Sequence, residues 1–169
     1  MLCLGILWNS VQDYKKMVLT DIGKQSDLIG YFDLSLGEKY EQFVRDIYAM
    51  DDIAAWKVDK KIETMFKCSD SRNITVSFMN VDLTDLFYHE GKKRMVYTNL
   101  ENLKTGIRKK YGKMVNYYFF DNIFHMTDNE KEFSDDFGVV ESYTYQIEKP
   151  SAYNSKGLQL VKKMKGFSK

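Results

Sequence analysis

The chain has 169 residues, of which 44% are hydrophobic and 15% aromatic, a composition that excludes a disordered protein and can fill the core of one domain. Its 25 basic and 24 acidic residues leave a net charge of +1, which argues against a general nucleic-acid binder. The two cysteines, Cys3 and Cys68, offer no zinc site, and no apolar run approaches the roughly 20 residues of a membrane span. These features predict a cytoplasmic protein with reduced thiols, although a disulfide between the two cysteines stays open.

Hydrophobic periodicity predicts the order β-α-β-αα-β-α-β-α. The predicted strands cover residues 2–8, 28–36, 73–81 and 115–124, and the predicted helices cover residues 10–23, 38–50, 52–67, 99–111 and 127–137. Residues 82–98 lack a clear period and are interpreted as a loop, and residues 139–148 as a last strand or an edge extension. In the helix over residues 52–67, Trp56 is expected to face the core and Lys61 the solvent.

Two β-α-β halves are typical of the ferredoxin-like α+β fold. We therefore expect an antiparallel sheet of at least four strands with helices packed on one face. This domain is assigned to residues 1–148, and residues 149–169 are interpreted as a basic C-terminal tail in which residues 157–165 could form a short helix.

The residues with the most distinctive chemistry lie between positions 117 and 130. The aromatic run at 117–120 predicts a buried strand, and His125 stands where this strand would end. Thr127 and Glu130 have the spacing of a capping box that opens the next helix. The N–H groups and partial positive charge of a helix N-terminus suit phosphate. A histidine there is either a hydrogen-bonded structural residue or a nucleophile or general acid/base.

Residues 122–128, Asn-Ile-Phe-His-Met-Thr-Asp, resemble the active-site segment of nucleoside diphosphate kinases, which reads Asn-Ile-Ile-His-Gly-Ser-Asp. The fold of that family is ferredoxin-like, with a helical pair between its second and third strands. Its histidine carries a phosphoryl group between two nucleotides. The resemblance therefore implies that this chain binds nucleotides or transfers a phosphoryl group through His125, with Mg²⁺ bound to the nucleotide.

The same resemblance assigns roles to residues on both sides of the histidine. Asp136 falls where the family has a glutamate that orients the histidine. Asn122 corresponds to a nucleotide contact. Arg94, Thr98 and Arg108 loosely match residues that bind phosphates in the family.

The sequence departs from the family pattern at two places. The first strand of the family ends in a Lys-Pro-Asp-Gly motif whose lysine binds phosphate, whereas residues 7–10 here read Leu-Trp-Asn-Ser. The glycine after the histidine is replaced by Met126. These departures leave open a non-catalytic module of the same fold that binds a protein partner or forms a homo-oligomer. A nucleic-acid-binding protein is a further alternative, which the near-neutral charge disfavours.

Overall fold

The computed structural model of the protein describes residues 1–51, 53–148 and 155–166. The strands are β1 (Leu2–Leu7), β2 (Asp27–Ser35), β3 (Asn73–Asn80), β4 (Leu86–His89), β5 (Arg94–Tyr97) and β6 (Phe124–Met126). The helices are α1 (Lys15–Gly23), α2 (Tyr40–Ile47), α3 (Ala55–Cys68), α4 (Thr98–Tyr111), α5 (Glu130–Ile147) and α6 (Lys156–Lys165). Short 3₁₀ helices at Asn9–Tyr14 and Gly37–Lys39 lead into α1 and α2.

Four strands form one antiparallel sheet in the order β2-β3-β1-β6. In the central strand β1, Ile6 lies opposite Val76 of β3 on one side and opposite His125 of β6 on the other. The strands β4 and β5 pair with each other in a separate hairpin. This arrangement confirms the predicted ferredoxin-like α+β fold and places His125 on an edge strand next to β1.

Helices cover both faces of the sheet, so the predicted packing of helices on one face is incomplete. Leu4 and Ile6 point into a core that includes residues of α2, α3, α5 and α6. Cys3 and Leu7 point into a second core formed with α1 and α4. Because successive side chains of a strand point to opposite faces, a strand that is buried throughout needs a cover on each face.

Gly5 leaves room for side chains of both neighbouring strands. A Cβ atom at this position would lie 2.7 Å from Ser77 Oγ on β3 and 2.8 Å from the ring of Phe124 on β6. A larger residue would therefore displace these side chains.

The predicted strand over residues 115–124 is wrong except at its end. Pairing begins only at Phe124, and the tyrosines of the aromatic run are about half exposed. Phe120 and Asp121 have φ angles of 42° and 55°, in the left-handed region that non-glycine residues rarely adopt. Two such residues in succession turn the chain and cannot continue a strand.

The predicted helix over residues 127–137 and the predicted strand over residues 139–148 are parts of one helix, α5. The strand interpretation is wrong because Val140 and Thr144 continue the helical spacing of Phe133 and Phe137, and all four side chains are buried.

The cap of α5 differs from the predicted capping box. Asn129 is the N-cap, and its Oδ1 accepts the Glu132 N–H at 2.9 Å. The Glu132 carboxylate in turn accepts the Asp128 N–H at 2.8 Å. Thr127 instead accepts the Leu4 N–H at 3.0 Å, so its hydroxyl joins β6 to β1.

Two side chains of α3 face opposite to the prediction. Lys61 is wholly buried, whereas Trp56 is 61% exposed. The helix begins at Ala55, and Asp52, the predicted start, lies outside the described residues.

The C-terminal segment belongs to the domain, which corrects the predicted boundary after residue 148. Leu160, Val161 and Met164 of α6 are buried in the same core as Phe32 of β2. Residues 149–154 and 167–169 of the predicted tail lie outside the described residues. Within the described ranges, none of the helices has the length and apolar character of a membrane span.

Candidate active site around His125

The imidazole of His125 is held by a carboxylate. Its Nε2 lies 2.6 Å from Asp136 Oδ2, and the two side chains are 11% and 8% exposed. Asp136 is on α5, and its position two turns into the helix brings it over β6. The carboxylate fixes the ring and favours the tautomer with its proton on Nε2. Nδ1 makes no hydrogen bond to a described residue, so it is the ring nitrogen whose lone pair is not engaged.

Aromatic side chains from two elements flank the imidazole. The ring of Tyr48, just after α2, meets the imidazole edge to face at a centroid distance of 5.3 Å. The ring of Trp8, at the end of β1, lies 6.4 Å from it. Trp8 is wholly buried, and its Nε1 has no hydrogen-bond acceptor among the described residues. An unpaired buried donor of this kind is rare in folded proteins.

The amine of Lys61 contacts the same two rings. Its Nζ donates to the Tyr48 hydroxyl at 2.6 Å and to the Asp121 carbonyl at 3.0 Å. It also lies 5.3 Å from the Trp8 ring centroid and 5.7 Å from that of Phe120. We call this group of five residues the Lys61 pocket. No carboxylate forms an ion pair with Lys61 within it.

Burial lowers the pKa of Lys61 well below its ordinary value, and the positive charge of Arg108 acts in the same direction. The carboxylates of Asp121 and Asp51 oppose the shift. Burial also raises the pKa of Asp51. The charges of His125, Glu132 and Asp136 act on this carboxylate as well. The side of the site that faces Asp51 is therefore rich in carboxylates.

A second group of charged side chains surrounds Asp128, which precedes α5. Its Oδ2 accepts from Lys92 at 3.0 Å and from Arg94 at 2.7 Å, and its Oδ1 accepts from Lys104. Arg94 also donates to Glu132 at 2.6 Å, and Lys92 donates to Glu101. We call these six residues the Asp128 cluster. Although burial opposes ionisation, the ammonium groups of Lys104 and Lys92 hold the pKa of Asp128 well below its usual value.

The three predicted phosphate-binding residues lie in three different places. Arg94 belongs to the Asp128 cluster and is paired with two carboxylates. Arg108 donates to the Phe124 carbonyl at 2.9 Å, next to His125, and pairs with Asp121 at 2.8 Å. Thr98 donates to the Asp85 carbonyl and anchors the base of the hairpin.

Asn122 supports the loop that precedes β6. It is wholly buried, and its Nδ2 donates to the Tyr117 carbonyl at 2.9 Å. The backbone carbonyl of Asn122 accepts from the Ser10 hydroxyl at 2.5 Å. Because the Asn122 side chain is buried and already hydrogen-bonded, the predicted contact with a nucleotide would require the loop to open.

The sequence interpretation missed Lys61 and Tyr48. Lys61 lies three residues after Val58 and four before Met65, both of which are buried. This spacing places it on the apolar face of α3, and a lysine on such a face was the available signal. Within the described parts of the chain, no group of three or more histidine, cysteine or acidic side chains is placed to hold a metal ion.

Comparison with known proteins gives similarity to solved structures alone. No protein-family model and no curated protein matches the chain. Among solved structures, it is similar to a transition state mimic of nucleoside-diphosphate kinase from Borrelia burgdorferi with bound vanadate and ADP. The two are 12% identical, the match covers 82% of this chain and 85% of that one, and the TM-score is 0.47. At this level the similarity does not define an activity, so function has to be argued from the residues around His125.

Proposed function

We propose that this protein binds a nucleoside triphosphate with its Mg²⁺ and transfers the terminal phosphoryl group through His125. The observation that carries the proposal is the 2.6 Å contact between His125 Nε2 and Asp136. A carboxylate on one nitrogen orients the ring and supports the positive charge that develops on it when the other nitrogen attacks.

The proposed step is an in-line displacement at phosphorus. The lone pair of His125 Nδ1 forms a P–N bond while the bond between the terminal phosphorus and its bridging oxygen breaks. The nucleoside diphosphate leaves with the electron pair, and the reverse step passes the phosphoryl group to an acceptor phosphate. Mg²⁺ enters with the nucleotide and neutralises part of the phosphate charge.

The chain's own cations supply the remaining charge stabilisation in this proposal. Arg108 contacts the carbonyl of Phe124, the residue before His125, and Lys61 donates to the hydroxyl of Tyr48, whose ring packs against the imidazole. Phosphoryl transfer depends mainly on such positioned positive groups. Trp56, which is exposed and next to Lys57 near the Lys61 pocket, offers a flat surface on which a base could stack.

The test is incubation with γ-labelled ATP and Mg²⁺, followed by measurement of acid-labile label on the protein. We expect label on the wild type and on His89→Ala, the matched variant at the other histidine, and none on His125→Ala. Asp136→Asn should lower the labelling rate without changing the acid lability. Equal labelling of His125→Ala, or no label together with no thermal shift by any nucleotide, would overturn the proposal.

A second candidate function is a non-catalytic module that associates with another copy of itself. Two observations favour it. Arg94 is already neutralised by carboxylates of the Asp128 cluster. In addition, Leu86, Tyr88 and Met95 share one face of the β4–β5 hairpin, and each is more than half exposed. Both edges of this hairpin are unpaired among the described strands, and an unpaired edge invites another strand.

A two-fold axis would pair the same edge of two hairpins in antiparallel orientation. Light scattering should then give a dimer for the wild type and for Met50→Lys, an exposed control site, and a monomer for Met95→Lys. A monomeric wild type at micromolar concentration would exclude this candidate.

A further inference from the structure

Asp121 contacts two basic side chains, Arg108 and Lys61. Its carboxylate Oδ2 lies 2.8 Å from Arg108 Nη1, and its backbone carbonyl accepts from Lys61 Nζ at 3.0 Å. Its other carboxylate oxygen accepts from the Tyr118 hydroxyl at 2.9 Å. One residue thus presents oxygen atoms to a guanidinium, an amine and a phenol. This is the donor set that commonly binds a phosphoryl group.

The backbone around this contact is strained. Phe120 and Asp121 both have positive φ angles, 42° and 55°. Left-handed conformations in non-glycine residues persist where surrounding contacts hold them, and they cluster at ligand sites and switch regions. Here the contacts that hold Asp121 are the two basic side chains and Tyr118.

A groove opens on the outer side of the same contact. It has a volume of about 620 Å³, and its lining includes Arg108, Lys109, Lys113, Tyr118 and Asp121. Lys109 and Lys113 form no ion pair with a described residue, so the groove has a positive wall that ends at Asp121. Such a groove attracts an anionic ligand toward the residue that closes it.

From these contacts we infer that Lys61 and Arg108 form a phosphate subsite which the chain's own Asp121 occupies until a phosphorylated ligand displaces it. The inference rests on the proposed function. It adds that Asp121, as a ligand from the chain itself, regulates entry of the phosphorylated ligand to the subsite. We call Asp121 in this role the self-ligand. In the exchange, a phosphate oxygen replaces the Asp121 carboxylate at Arg108, and another replaces its carbonyl at Lys61. Release of the strained turn at Phe120 and Asp121 offsets part of the lost contacts.

The exchange should change the protonation state of Lys61, and proton uptake on ligand binding would report this change. The groups that face its amine are Tyr48 and Asp51 after α2, Arg108 on α4 and Asp121 in the loop. Burial, with Arg108, lowers the pKa of Lys61 in the free protein. A bound phosphate adds negative charge next to the amine and raises this pKa again, so binding takes up a proton.

The first experiment is calorimetric titration of the full chain with MgADP. Asp121→Asn removes the competing charge, keeps the side-chain volume and suits a left-handed φ. We expect it to bind MgADP about tenfold more tightly than the wild type, the scale of one charge-assisted hydrogen bond. Asp21→Asn is the matched control. Asp21 pairs with Lys110, which is on α4 like Arg108, but Asp21 does not line the groove.

The outcomes separate the inference from the proposed function. Binding to the wild type with unchanged or weaker binding to Asp121→Asn overturns the self-ligand and leaves the proposed function standing. No binding to any of the three proteins overturns both. Equal tightening in Asp21→Asn would assign the effect to general charge and also overturn the inference.

The second experiment measures proton uptake. Titration of MgADP at pH 8 in buffers of different ionisation enthalpy should show a net proton uptake for the wild type. Lys61→Met, which fills a similar volume without an amine, should still fold and should show no uptake. The same uptake in both proteins would mean that Lys61 does not meet the phosphate.

Discussion

The Asp128 cluster and the Lys61 pocket lie near the same short strand, β6. They differ in the groups that surround a buried ionisable side chain. In the Asp128 cluster, three cations converge on one carboxylate that is 6% exposed, and two further carboxylates complete the balance. In the Lys61 pocket, a wholly buried amine has a phenol, a carbonyl and aromatic rings as neighbours. The cluster can fix the hairpin, α4 and the start of α5 in place, whereas Lys61 in the pocket forms no ion pair with a carboxylate of the described residues.

The largest test of this comparison is removal of the central carboxylate. Asp128→Ala leaves three cations without their shared partner, two of them largely buried, and we expect it to lower the free energy of unfolding by about 3–5 kcal/mol. Chemical denaturation would measure the loss. Asp59→Ala, which breaks the exposed pair with Arg45, should lower it by about 1 kcal/mol or less.

The pH dependence of the same pair of proteins checks the mechanism. The pKa of Asp128 is lowered in the folded state, so its stabilisation is present above its ordinary value of 3.8 and is lost as the pH falls below that value. The stability difference between the wild type and Asp128→Ala should therefore shrink in acid. A difference that stays constant would show that packing, and not charge, causes the loss.

The next effect concerns the phenol of the Lys61 pocket. Tyr48→Phe removes the oxygen that accepts from Lys61 at 2.6 Å and leaves a buried donor short of a partner. We expect a loss of about 1–3 kcal/mol in the free energy of unfolding. Tyr14→Phe, which removes an exposed hydroxyl, should change it by about 0.5 kcal/mol or less. Equal effects of the two variants would contradict a special role for Tyr48.

The amine itself should make stability depend on pH in the opposite range from Asp128. The pKa of Lys61 is lowered in the folded state, so between this value and its ordinary value of 10.5 the unfolded chain binds more protons. Stability therefore rises with pH in that window, by up to roughly a tenfold change in the folding constant per pH unit. Denaturation of wild type and Lys61→Met as the pH is raised toward 10 should show that the stability of the wild type gains relative to that of the variant.

The smallest expected effect is at the rim of the Asp128 cluster. Lys92 is 25% exposed, and without it Asp128 keeps Lys104 and Arg94. We expect Lys92→Met to lower the free energy of unfolding by about 1 kcal/mol or less. A loss as large as that of Asp128→Ala would mean that the cluster works as one cooperative unit, and the comparison between cluster and pocket would need to be redrawn.

The sheet could be predicted from the sequence because its signal is local. The alternation of Phe32 and Leu34 in β2 and the spacing of Phe43 and Ile47 in α2 directly report which face is buried. The contact between His125 and Asp136 was accessible only through resemblance to a known family, since eleven residues and a change of element separate the two.

The loop before β6 and the Lys61 pocket could not be predicted in the same way. Tyr117 and Tyr118 have side chains typical of strands, yet they lie about half exposed in the loop before the turn at Phe120 and Asp121, and Asp121 is held there by tertiary contacts. Lys61 and Trp56 reverse the expected burial of a charged and an apolar residue. Such reversals concentrate at functional or strained sites, because there a specific contact outweighs the general preference.

The position of α6 affects how the chain folds as it is synthesised. The helix covers Phe32 and Gly30 of β2, where Leu160 lies 3.2 Å from the position of a Cβ on Gly30, although more than 100 residues separate them in sequence. On a ribosome, which adds roughly 5–20 residues per second, this face of β2 would wait several seconds for its cover. During that interval the early half of the chain presents an apolar strand surface that a chaperone could shield.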